Sequence, residues 1–170
     1  MKKKVAGIIG LAIVAIIVAL FNGGWFDETP EEYLAQKYVG YEVVKTSQIG
    51  DVQAYLLKNE TGMVMCCFYQ GEVLGALGGA ERNFDGMSMF SYAGDPYIGF
   101  VGIICGENED NHTSYSCGFF EGVDETANKC RVEREIAGEQ YVLDIYLREI
   151  DTNFDYWLLN AAFENGELIG

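Results

Sequence analysis

Two neighbouring stretches carry the residue types and spacing that chemistry would need. In Thr113-Ser114-Tyr115-Ser116-Cys117 a thiol follows closely on His112, the chain's single histidine. A cysteine attacks as its thiolate, and a nearby imidazole or cation lowers its pKa. Cys117 is therefore the candidate nucleophile and His112 its candidate base, provided the fold brings the two side chains together. The loop Glu107-Asn108-Glu109-Asp110-Asn111-His112 crowds oxygen donors. Glu107, Glu109 and Asp110 are candidate ligands for a hard cation such as Ca²⁺ at low affinity, with a plain solvated acidic loop as the alternative. Asp151-Thr152-Asn153-Phe154-Asp155 opens like a calcium-binding loop. Tyr156 stands where that loop needs glycine and Ala162 where it needs glutamate, so it reads as a solvated turn. Cys66 and Cys67 are adjacent, which is not a zinc spacing. A Ser-His-Asp triad would have to use His112, and no G-x-S-x-G occurs. The 26 acidic residues single out no carboxylate pair, and nothing calls for a cofactor.

The five cysteines are Cys66, Cys67, Cys105, Cys117 and Cys130, and an odd number leaves at least one thiol over. Cys66 and Cys67 fall in a strand-like run, so they should point to opposite faces. Cys105 and Cys117 flank what looks like a hairpin connection and are the candidate disulfide. The alternative is five buried thiols acting as small hydrophobes.

The elements that must position these residues are mostly strands. Thr29-Pro30-Glu31-Glu32 reads as a helix start, with a capping hydroxyl, proline at the first helical position and acids at the positive end of the dipole. That short helix should stop near Gly40. Strands are then expected at 41–46, 51–58, 63–70, 73–77, 87–92, 97–105, 114–120, 130–136, 141–150 and 156–163. Turn residues mark their junctions, notably Asn59-Glu60-Thr61-Gly62, Gln70-Gly71, Ala93-Gly94-Asp95-Pro96 and Ala137-Gly138-Glu139-Gln140. Asp124–Lys129 reads as a helical turn, and Asn165-Gly166 as a type I′ turn. In 141–150, Tyr141, Leu143, Ile145 and Leu147 share one face, and Asp144 and Arg148 the other, which Val142 and Tyr146 interrupt. The expected fold is mainly β: an antiparallel β-sandwich or partly closed barrel. The 11 tyrosines and 10 phenylalanines are expected in its core and cross-strand pairs, an aromatic binding platform being the alternative.

The N-terminus is different. Lys2, Lys3 and Lys4 precede an uncharged run from Val5 to Phe26. As a helix, Val5–Phe21 would span about 26 Å and Val5–Phe26 about 33 Å, bracketing a bilayer core of roughly 30 Å. Trp25 and Phe26 suit its interface, and the lysines favour an inside N-terminus. Leu20 and Phe21 stand where a cleaved signal peptide would carry small residues. The expected organisation is a cytoplasmic stub over 1–4, a transmembrane signal-anchor over 5–26, a linker with a short helix over 27–40, and an extracytoplasmic β-rich domain over 41–170.

The chain has 170 residues and a net charge of −15. Three of its 11 basic residues lie in the stub, leaving 8 against all 26 acids, a balance of −18 outside it. That field excludes general binding to nucleic acid or anionic lipid, and permits a cationic or basic partner. Apolar residues at 49% exclude a disordered tail, and 2 prolines exclude collagen. Asn59-Glu60-Thr61 and Asn111-His112-Thr113 match a glycosylation acceptor, of consequence only in a host that glycosylates.

Two resemblances follow. Thr113-Ser114-Tyr115-Ser116-Cys117 loosely resembles the nucleophile motif of sortases, Thr-Leu-x-Thr-Cys, a family that also has an N-terminal anchor and an outside β-barrel. The resemblance implies peptide acyl transfer, with Cys117 as nucleophile and Arg131 or Arg134 as the oxyanion cation. The family's histidine lies on an earlier strand, and no histidine precedes His112 here. More coarsely, the stub, single anchor and acidic β domain ending in Phe163-Glu164-Asn165-Gly166-Glu167 resemble small single-pass membrane proteins of Gram-positive bacteria. That likeness is architectural and implies no activity.

The expected role is non-enzymatic: a membrane-anchored extracytoplasmic domain that binds a surface protein or small ligand. The alternatives are a thiol enzyme using Cys117 and a structural subunit of a membrane complex.

Overall fold

The structure is a computed structural model that describes residues 28–78, 83–93, 98–121, 130–148 and 157–170. The expected stub and anchor lie outside these residues, as do the turn at 93–96 beyond Ala93, the helical turn at 124–129 and the turn at 151–155. No helix among the described residues is long and apolar enough to cross a membrane.

The chain enters through helix α1 (Pro30–Lys37). Thr29 caps it: its hydroxyl accepts from the Glu32 N–H at 3.3 Å, and the Glu32 carboxylate accepts from the Thr29 N–H at 3.0 Å. This reciprocal capping box satisfies two orphan donors of the first turn. Leu34 is the residue the helix buries, and the Tyr38 N–H closes the last turn on the Leu34 carbonyl.

Ten strands follow among the described residues: β1 (Glu42–Ile49), β2 (Val52–Asn59), β3 (Gly62–Tyr69), β4 (Glu72–Leu77), β5 (Met87–Tyr92), β6 (Phe100–Glu107), β7 (Ser114–Glu121), β8 (Cys130–Glu135), β9 (Tyr141–Arg148) and β10 (Trp157–Phe163). All pairings are antiparallel. They form three sheets, ordered β1-β2-β3-β4, β5-β6-β9 and β10-β7-β8.

Three apolar clusters order the layers. Leu34 and Tyr38 of the α1 segment meet Tyr55, Leu57, Val64, Cys66 and Phe68 on one face of the first sheet. That sheet's other face, with Leu56, Met65 and Cys67, meets Val101, Ile103, Cys105, Leu143 and Ile145 of the second. The second sheet's far face, with Phe100, Ile104 and Val142, meets Tyr115, Cys117 and Ala161 of the third. The sandwich-like packing expected from the sequence thus gains a third sheet and a helical cover. β3 and β6 are buried on both faces, which is why Gly-Met-Val-Met-Cys-Cys-Phe-Tyr and Phe-Val-Gly-Ile-Ile-Cys-Gly-Glu lack polar alternation.

Close backbone approaches fix two junctions. A Cβ at Gly106 would lie 2.0 Å from the Gly86 carbonyl oxygen, where the chain enters β5, and its φ is +140°. At Gly75 the Phe90 ring of β5 occupies the space a side chain would need, 2.7 Å from that Cβ position, joining β4 to the second sheet. At the opposite seam Lys45 of β1 donates to the Tyr141 carbonyl of β9 at 2.8 Å.

The tight β3–β4 turn has both Gln70 and Gly71 at positive φ, as a primed hairpin turn requires. The Asn165-Gly166 turn differs from the expected type I′. Only Gly166 has positive φ there, and its N–H donates to the Phe163 carbonyl at 2.9 Å. Beyond it Leu168 bridges Ala162, and Ile169 is buried against the third sheet.

Candidate functional site

The loop after β6 folds around Asn108, which is buried. Its amide donates to the His112 carbonyl at 2.9 Å and accepts from the His112 N–H at 2.8 Å. Its backbone N–H reaches the Gln140 carbonyl at 2.8 Å, tying the loop to the β8–β9 turn. One asparagine thus converts a run of acids and amides into a fixed loop, and its side-chain oxygen is engaged by backbone.

A cleft of about 280 Å³ lies between this loop and the β8–β9 turn, with Glu107, Glu109, Asn111, Glu139 and Gln140 in its walls. Two of its carboxylates, Glu107 and Glu139, are held from behind. Lys58 bonds Glu107, Lys45 bonds Glu139 at 2.7 Å, and Arg134 bonds Glu139 at 2.7 Å. The Lys58 ammonium keeps the Glu107 carboxyl below its usual range, and the Lys45 ammonium does the same for Glu139. Of the three candidate cation ligands, Glu107 and Glu109 line this cleft and Asp110 does not. Among the described residues no three histidine, cysteine or acidic side chains are grouped to hold a metal ion.

His112 stacks on Phe163, centroids 3.7 Å apart, with Nδ1 3.5 Å from the Glu164 carboxylate. Glu164 also accepts from the N–H groups of Thr113 and Ser114 at 3.1 and 3.3 Å. These backbone donors hold its carboxyl down at about 2. Cys117 lies three residues beyond Ser114 on β7, opposite Ala161, and is 1% exposed. Its thiol is hydrogen-bonded to the Tyr146 hydroxyl. The proposed nucleophile and base therefore engage different partners. The cations of the sortase comparison are also committed elsewhere. Arg131 donates to Ser116 at 2.8 Å, on the strand face opposite Cys117, and Arg134 is taken up by Glu139 and Asp144.

The candidate pair Cys105 and Cys117 are free, buried thiols, in keeping with the alternative reading. Cys105 belongs to the core between the first and second sheets and Cys117 to the core between the second and third, so the middle sheet separates them. Cys66 and Cys67 do point to opposite faces, into separate cores. Burial pushes the Cys67 thiol up to about 12 and the Cys105 thiol higher still.

A network the sequence did not single out joins these parts. The Tyr115 hydroxyl lies 2.7 Å from Asp144 and 2.6 Å from the Tyr146 hydroxyl, and Asp144 is 3.3 Å from the Arg134 guanidinium. Through Glu139 it continues to Lys45. Polar groups from β1, β7, β8 and β9 are thereby linked from the core between the second and third sheets to the cleft. The signal was the pairing of Asp144 and Tyr146 on one strand face, which two-face burial of β9 makes an inward position.

No protein-family model matches the chain, and comparison with curated proteins and with solved structures yields no match.

Proposed function

We propose that the chain is a membrane-held extracytoplasmic binding or interaction domain, anchored through residues 5–26 with its N-terminus inside. The cleft of Glu107, Glu109, Glu139 and Gln140 is its recognition surface, for a cationic or hydrogen-bond-donating group of a surface protein or small ligand. Glu107 and Glu139, oriented by lysine and arginine, lose little freedom on binding, and the net negative field draws such a partner in. The observation that carries the non-enzymatic reading is the burial of Cys117 beside Tyr146. A substrate carbonyl needs an exposed sulfur. Iodoacetamide labelling of the native chain, followed by peptide mapping, tests this. Cys117 is expected to label only after denaturation. Native labelling faster than in the unfolded chain would transfer the assignment to a thiol enzyme.

A further inference from the structure

A second cavity, of about 310 Å³, opens between α1 and the β3–β4 turn. Its apolar walls are Tyr33, Phe68 and Val73, and Glu28, Gln70 and Glu72 supply polar acceptors. The Tyr33 and Phe68 rings meet edge to face at 5.7 Å, and Val73 is 45% exposed. The chain itself leads to this place, because Glu28 is both the first described residue and a lining residue.

We propose that the cavity is the dock for the indole of Trp25. Trp25 is three residues before Glu28, an extended reach of about 10–11 Å. The chemistry matches: an indole brings a large apolar face for Tyr33 and Val73, over the buried Phe68, and one N–H donor for an acceptor of Glu28, Gln70 or Glu72. Phe26 is also within reach but brings no donor. Docking covers the exposed Val73 and fixes the angle at which the N-terminal segment meets the β domain. It goes beyond the binding role proposed above, is independent of what the acidic cleft binds, and ends the membrane-held run before Trp25, at the Val5–Phe21 core.

The test uses the full chain in detergent, labelled with 5-fluorotryptophan. Its two fluorine resonances, from Trp25 and Trp157, are assigned with Trp25→Phe. Val73→Asp is expected to move the Trp25 resonance towards the position of free fluorotryptophan and to increase its solvent isotope shift. Val43→Asp, equally exposed on β1, is expected to leave it in place. A Trp25 resonance unmoved by Val73→Asp overturns the proposal. So does broadening of that resonance by nitroxide-labelled lipid in bilayers, which would put the ring in the membrane interface while leaving the anchor reading intact.

Discussion

Tyr115 is the residue on which the core between the second and third sheets meets the polar network. It is 1% exposed, yet its hydroxyl reaches both Asp144 and Tyr146. Removing only that oxygen leaves partly buried polar groups short of a partner. Tyr115→Phe is expected to cost about 1–3 kcal/mol in denaturant unfolding; unchanged stability would show the network to be incidental. Glu164 gives a pH signature. Its carboxyl falls from 4.5 to about 2 in the folded chain, so the stabilisation is present above 4.5 and is lost as the pH falls towards 2. Glu164→Gln is expected to flatten the pH dependence of stability across that interval, and an unaltered acid profile would deny the backbone bonds their role. At this scale the sequence conveyed residue types but not partners. Cys117 and His112 are near in sequence, yet Phe163 takes the imidazole and Tyr146 the thiol, and both come from strands remote in the chain.

Elements were far more legible than sites. The expected helix start at Thr29 and the ten expected strands all recur, because caps, glycine turns and β-branched runs are local signals. β1 continues to Ile49, beyond the expected end. What local pattern could not convey is how many layers the strands build. In β9, Leu143 and Ile145 face one core while Val142 faces another, so the apparent interruption of the polar face is a second buried face. The same two-sidedness separates Cys105 from Cys117 and explains the missing disulfide. Gly106 was equally unreadable, since its constraint comes from Gly86, twenty residues earlier. Gly106→Ala is expected to destabilise by about 3 kcal/mol or more, through steric overlap and positive φ together. A thermal unfolding midpoint near that of the parent chain would contradict this close approach.

Among the described residues α1 and the three sheets stack layer on layer, and the acidic cleft is built from distant parts of the chain. Lys45, Glu107, Arg134 and Glu139 come from β1, β6, β8 and the β8–β9 turn, and the sheets must pack before the cleft exists. The excess of acids after Lys4 is the physical ground for proposing a cationic partner. The central claim is that this domain works outside the cell while its N-terminus stays within. Protease treatment of intact cells, probing a C-terminal tag, tests it most directly. The account predicts loss of the tag with a membrane-bound N-terminal remnant. A tag protected until the cells are opened would place the domain inside and contradict the account.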